Sequence, residues 1–150
     1  MFLMLKEQPD AINTAGVCLV VGLLLVVPAF AQMGYPLKGS WSGDWWLKKG
    51  EENHILLDFD WDGKTLKGVL NPGIDNVALQ KLSLEPPAGG VQRAMDPWNL
   101  HFEADVTEAS GRTIHCVVDG KLQNIGAYRK FVTGTWMAGN QKGEFRIVRN

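Results

Sequence analysis

Oily and polar side chains alternate along most of the chain beyond residue 32, and the clearest run is at residues 98–106. There Trp98, Leu100, Phe102, Ala104 and Val106 share one parity, while Asn99, His101, Glu103 and Asp105 share the other. A period of two places one set on each face of a β-strand, so this segment reads as a strand with a buried and a hydrated side. The same rhythm, interrupted by Gly and Pro, predicts eight strands at about 39–48, 53–60, 65–70, 77–84, 98–106, 112–123, 129–137 and 143–149. No stretch beyond residue 32 has the spacing of an amphipathic helix.

The breaks between the strands have turn chemistry. Asp62-Gly63 lies between Ile55-Leu57-Phe59 and Leu66-Gly68-Leu70 and predicts a tight hairpin turn, because glycine and aspartate tolerate positive φ. Residues 71–73 (Asn-Pro-Gly) and 85–90 (Glu-Pro-Pro-Ala-Gly-Gly) read as loops, since proline cannot donate to a ladder. The short connection 107–111 returns the chain into Ile114, Cys116 and Val118; pairing Val106 with Arg112 would set Glu103 across from His115. Eight sequential strands without crossover helices predict an all-β, antiparallel, up-and-down barrel, because closure removes the unpaired edges. A β-sandwich is the alternative. Leu37-Lys38-Gly39-Ser40-Trp41 near the start of the domain is echoed by Val132-Thr133-Gly134-Thr135-Trp136 near its finish, and a closed meander would pair the first strand with the last.

The N-terminus follows another rule. Val17 to Val27 is an unbroken apolar run, followed by Pro28 and the small-x-small triplet Ala29-Phe30-Ala31, which predicts an N-terminal apolar helix acting as a signal peptide over residues 1–31. The run is shorter than the roughly 20 residues of a permanent span. Glu7 and Asp10 against Lys6 weaken the usual basic start, so an uncleaved membrane anchor is the alternative. The expected domain is then 32–150, periplasmic or secreted, or held on the extracytoplasmic side of a membrane. Removing the leader takes one base and two acids from totals of 15 and 16 and leaves a formally neutral domain. That balance gives no reason to expect a nucleic-acid partner. Cys18 falls within the leader, so Cys116 has no disulfide partner in the domain and reads as a small core residue.

Gly39-x-Trp41 on the first strand, with Arg146 and Arg149 on the last, resembles the calycin pattern of lipocalins and avidins. The resemblance implies a barrel end closed by an arginine over the first-strand tryptophan, with Gly39, Trp41, Arg146 and Arg149 as the structural set. The polar biotin ligands of avidin have no counterpart here. A second pattern is Gly39-x-Trp41-x-Gly43, Asp62-Gly63-Lys64-x-Leu66-x-Gly68, Asn71-Pro72-Gly73, His101-Phe102-Glu103-Ala104-Asp105, Gly134-Thr135-Trp136 and Lys142-Gly143-Glu144-Phe145. It is similar to short exported bacterial β-barrel proteins and to the β-domain that precedes some α/β-hydrolases. This resemblance implies a fold and a compartment and brings no activity with it.

The chain carries no Gly-x-Ser-x-Gly elbow, Cys-x-x-Cys pair, His-Glu-x-x-His helix or Gly-rich phosphate loop, so no catalytic residue and no cofactor is expected. His101, Glu103 and His115 are the candidate metal ligands; a cross-strand charge pair on a wet sheet face is the simpler reading of the same residues. Trp41, Trp45, Trp46, Trp61, Trp98 and Trp136 are the candidate ligand-binding residues, and they also serve as core. Alternation puts Trp41 and Trp45 on one face and Trp46 on the other, which marks Trp46 and Trp61 as contact candidates. The expected function is a non-catalytic exported module that binds a small apolar ligand, a glycan or a protein. A membrane-anchored structural or accessory subunit of a larger complex is the alternative.

Overall fold

Strand formation follows the alternation. The computed structural model describes residues 34–90 and 96–150. Its strands are β1 (Gly39–Trp46), β2 (Asn53–Trp61), β3 (Leu66–Leu70), β4 (Val77–Ala78), β5 (Gln80–Glu85), β6 (Trp98–Thr107), β7 (Thr113–Gln123), β8 (Phe131–Ala138) and β9 (Gln141–Arg149). All pair antiparallel in one sheet of order β4-β3-β2-β1-β9-β8-β7-β6-β5, a nearly closed barrel-shaped meander. The first and last strands pair from Trp41 with Arg149 to Trp46 with Glu144, as closure of the meander requires; the echoed segment 132–136 lies in β8, one strand before the last. A single sheet of this order leaves no place for a two-sheet sandwich. The expected leader helix and the apolar run 17–27 lie outside the described residues. Among the described residues, no helix is long and apolar enough to cross a membrane.

The strand count is nine rather than eight, because the segment expected as one strand at 77–84 changes partners. Val77 and Ala78 pair with Leu70 and Val69 of β3, whereas Ser83, Leu84 and Glu85 pair with His101, Leu100 and Asn99 of β6. Between them, the Leu79 N–H donates to the Gly68 carbonyl at 2.9 Å and Lys81 takes a left-handed φ of 47°. The register slips at that point, as it does in a bulge, and the extra residue bends the strand across the gap between β3 and β6. Gly68 leaves the space: a Cβ there would sit 2.7 Å from Leu79 and 3.2 Å from Leu82.

Two connections differ from their sequence readings. Trp61 pairs with Leu66, so the Asp62-Gly63 turn is a four-residue loop in which only Gly63 has positive φ, at 94°. The Asp62 carboxylate accepts the Lys64 and Thr65 N–H groups at 2.8 and 2.7 Å, and these bonds hold its pKa below the ordinary value. Thr107 pairs with Thr113 and Val106 with Ile114, which displaces the β6–β7 register by two residues from Val106–Arg112.

The inward set forms the core: Trp41, Leu57, Leu100, Leu122, Val132 and Ile147 are fully buried, each contributing about 1.5–3 kcal/mol by leaving water. One barrel end is plugged by the 3-10 turn Tyr35–Leu37, with Leu37 fully buried beneath it. The Trp41 indole N–H donates to the Leu37 carbonyl at 2.7 Å and ties this plug to β1.

Candidate functional site

At the end opposite the plug, the inward rows change from large to small. Ala104, Cys116 and Ala138 are direct cross-strand partners on β6, β7 and β8, so three small side chains stand side by side on the inner wall. Below them, Phe102, Val118, Trp136 and Gly143 form the next row, and Leu100, Gly120, Gly134 and Phe145 the one after. Bulky residues in these lower rows lie over the glycines. A Cβ on Gly134 or Gly120 would reach within about 2.8 to 3.1 Å of the Phe145 ring, and one on Gly143 within 2.5 Å of Trp136 Cε2. This filling seals the floor, and the small row above it leaves room.

The result is a cavity of about 350 Å³ that opens at the barrel mouth. Its walls are apolar, with Trp45, Ile55, Phe102, Val118, Trp136 and Phe145 among the lining, and Asn71, Glu108 and Gln141 stand at the rim. Trp45 meets Trp136 edge to face, with ring centroids 5.2 Å apart and planes at 86°, a favourable aromatic geometry. Glu108 at the rim is paired with Arg112 at 3.1 Å. Cys116 lines the same space, and burial pushes its thiol above the usual range, with the Asp105 charge adding to the shift.

The six tryptophans are dispersed. Only Trp45 and Trp136 line the cavity. Trp41 belongs to the plugged end, and Trp98 packs, half-buried, on the core. The Trp46 indole N–H donates to Glu144 at 3.2 Å on the outer face, near the open end. Trp61 lies against Gly34 at the plugged end, so Trp46 and Trp61 do not share a surface. Sequence reasoning missed Ala104 and Ala138 as the makers of the space. The available signal was three small residues at inward parity near strand ends, and it needed the register to become visible.

The barrel-closing residues are divided too. Arg149 lies over Gly39, where a Cβ would sit 3.2 Å from its Nε, on the same side as its strand partner Trp41. Arg146 stacks on Phe131 instead, with its guanidinium carbon 5.1 Å from the ring centroid.

His101, Glu103 and His115 come together on the outer face as a chain of ion pairs. His115 Nδ1 is 2.7 Å from Asp105 and its Nε2 is 3.1 Å from Glu103; His101 Nδ1 is 2.7 Å from Asp119. Lys81 reaches Glu103 at 3.0 Å. The Lys81 hydrogen bond, with His115 adding to it, holds Glu103 below its ordinary pKa, and the His115 hydrogen bond does the same for Asp105. His115 is raised in turn, first by its bond to Asp105. Among the described residues, no group of three or more His, Cys, Asp or Glu could hold a metal ion.

A wider depression of about 700 Å³ lies on the outer face of β5–β8, lined by Asn99, His101, Asp119, Lys121, Thr133 and others. Its polar groups bond to one another, Lys121 to Asn99 and His101 to Asp119, and no aromatic side chain floors it. The apolar mouth cavity is therefore the better-built site. Comparison of the chain with protein-family models, with curated proteins and with solved structures finds no match.

Proposed function

We propose that this is a non-catalytic, exported, calycin-like barrel that binds a small apolar ligand in its mouth. The observation that carries the reading is the 350 Å³ aromatic-walled cavity, whose small row Ala104–Cys116–Ala138 keeps open a space the rest of the interior fills. Native interiors are close-packed, and an apolar void costs stability in proportion to its volume. A retained cavity with an open mouth is the usual form of a small-molecule site. Export rests on the leader pattern at residues 17–31.

Calorimetric melting of the full chain with and without octane tests the proposal. Ligand that binds only the folded state raises the midpoint in proportion to RT ln(1 + [L]/Kd). The expected result is a rise for the wild type and none for Ala104→Leu, which fills the space while staying folded. An unchanged wild-type midpoint at saturating octane would rule the proposal out.

A further inference from the structure

The plugged end carries cations that the chain does not neutralise. The 3-10 turn brings an exposed Tyr35 there, and the β7–β8 loop brings Tyr128 and Arg129, because Asn124 takes a left-handed φ of 56° and turns the chain out of β7. Lys130 ties that loop down: its ammonium donates to the Pro36 carbonyl of the plug at 3.4 Å, and its own carbonyl accepts the Arg149 N–H at 3.0 Å. The Arg149 side chain lies beside Gly39, at the start of β1. Burial lowers the Lys130 pKa and the Arg149 charge adds to the shift, so the two half-buried cations repel. Among the described residues, no carboxylate pairs with Arg129, Lys130 or Arg149. Asp60 at this end is paired with Lys38 at 3.3 Å, and the Asp62 carboxylate is taken up by two turn amides. Glu85 and Asp96 belong to the β5–β6 connection, beyond β7 in the sheet.

Like charges held side by side in a partly dry place cost stability unless an anion reaches them, so the arrangement fits an acidic surface outside the chain. The tyrosines indicate which surface. Tyr35 and Tyr128 are the only two in the chain, they are 64% and 98% exposed, and both flank the cations. A free anion would leave those rings in water, whereas amphipathic rings settle at the headgroup level of a bilayer, where Lys and Arg meet anionic lipid. The chain also enters at this end. Residues 28–33 alone separate Val27 of the apolar run from Gly34, a reach of at most about 25 Å, and the patch lies beyond the expected cleavage after Ala31. We propose that the plugged end docks on an anionic bilayer, with Arg129, Lys130 and Arg149 on headgroup phosphates, Tyr35 and Tyr128 in the interface, and the mouth facing solution.

Sedimentation of the full chain with phosphatidylcholine vesicles, with and without phosphatidylglycerol, tests the docking face. The apolar run 17–27 can enter either vesicle, so the gain on adding phosphatidylglycerol is the quantity read. The expected result is tighter binding to the anionic vesicles. Arg129→Gln with Lys130→Gln should weaken that binding roughly 10- to 30-fold and leave binding to phosphatidylcholine unchanged. Lys48→Gln with Lys49→Gln removes the same charge from the β1–β2 turn at the mouth end and should change neither. With 3-fluorotyrosine at Tyr35 and Tyr128, a spin-labelled lipid in the anionic vesicles should relax both fluorine resonances of the bound protein. Equal wild-type binding to the two vesicles overturns the proposal, and equal losses from the two double variants do so by assigning the gain to net charge. Unrelaxed tyrosine resonances on bound protein put another face on the lipid. Displacement by inorganic phosphate, but not by chloride of equal ionic strength, gives the cations to a free ion and removes the bilayer. If the Arg129 and Lys130 variant does not fold, the wild-type gain and the fluorine resonances decide alone.

Discussion

His115 Nδ1 lies 2.7 Å from the Asp105 carboxylate, its direct partner across the β6–β7 ladder, while the far side of the same ring meets Glu103 at 3.1 Å. An imidazole can donate on both sides only when it is protonated, so the two carboxylates favour the cation. The raised pKa of His115 and the lowered value of Asp105 are one interaction seen from two groups, while Glu103 is lowered first by its bond to Lys81 with His115 adding to it.

The pH dependence of stability follows with a definite sign. A histidine whose folded pKa lies above its unfolded value of 6.5 contributes fully below that pH, and the contribution fades as pH rises through the folded value. Carboxylates lowered from 4.5 and 3.8 contribute above those values and lose the contribution as pH falls through their folded pKa. This cluster therefore favours the folded state most between about pH 4.5 and 6.5. Urea unfolding across pH should show the wild type losing stability above pH 6.5 more steeply than His115→Gln. Parallel curves for the two proteins above that pH would contradict the assignment.

The plug makes a second prediction. Trp41→Phe keeps a ring beside Phe59 but removes the donor held by the buried Leu37 carbonyl at 2.7 Å. Orphaning that acceptor should cost about 1–3 kcal/mol in chemical unfolding. Hydrogen exchange should quicken at the Leu37 and Lys38 amides, whose bonds to Gly34 and Tyr35 form the 3-10 turn. A stability loss without faster exchange there would mean that the plug does not depend on the indole bond.

Some of this was legible in the residues and some was not. The alternation at 98–106 assigns both faces of β6, because parity is local and burial enforces it. The bulge at Lys81 also left a trace: the apolar positions run Val77, Leu79, then Leu82, Leu84, a step of three where a plain strand takes two. The β6–β7 register was not legible. The Glu108 N–H donates to the Arg112 carbonyl and the Gly111 N–H to Glu108, which closes a five-residue loop over 108–112, and composition alone does not choose it over a loop of the same length one residue earlier, at 107–111. A slip of two preserves parity, so the outward face survived it while the partner of His115 changed from Glu103 to Asp105. The tryptophans scattered for the same reason: parity gives the side of the sheet, whereas the end of the barrel depends on register and tilt.

Gly143 tests the packing of the cavity floor. A Cβ there would fall on the Trp46 carbonyl oxygen and lie 2.5 and 2.6 Å from Trp136 Cε2 and Cζ2, so either β1 and β9 part or the indole moves. Gly143→Ala should cost roughly 1–3 kcal/mol as overpacking. Gly126 has open space around its Cβ position, so Gly126→Ala should be neutral or stabilising by up to about 1 kcal/mol. Equal effects at the two sites would show that the floor yields more readily than this geometry implies.

Cys116 gives the cavity a chemical reporter. Its thiol lines the apolar space between Ala104 and Ala138, and burial holds its pKa above the ordinary 9.0. The thiolate is the species that alkylates, so iodoacetamide at pH 8, read by peptide mass at Cys116 and not at Cys18, should label folded protein far more slowly than urea-unfolded protein. Labelling of the folded state requires both entry through the mouth and loss of a proton from a poorly hydrated sulfur. A ligand seated beside Trp136 obstructs the first requirement without changing the second. Saturating octane should therefore slow labelling of the folded chain and leave the unfolded rate unchanged, and raising the pH should speed both the free and the liganded protein by similar factors. Labelling of the folded chain at the unfolded rate would show that the thiol is open to water, and the apolar enclosure inferred for the mouth would then be wrong.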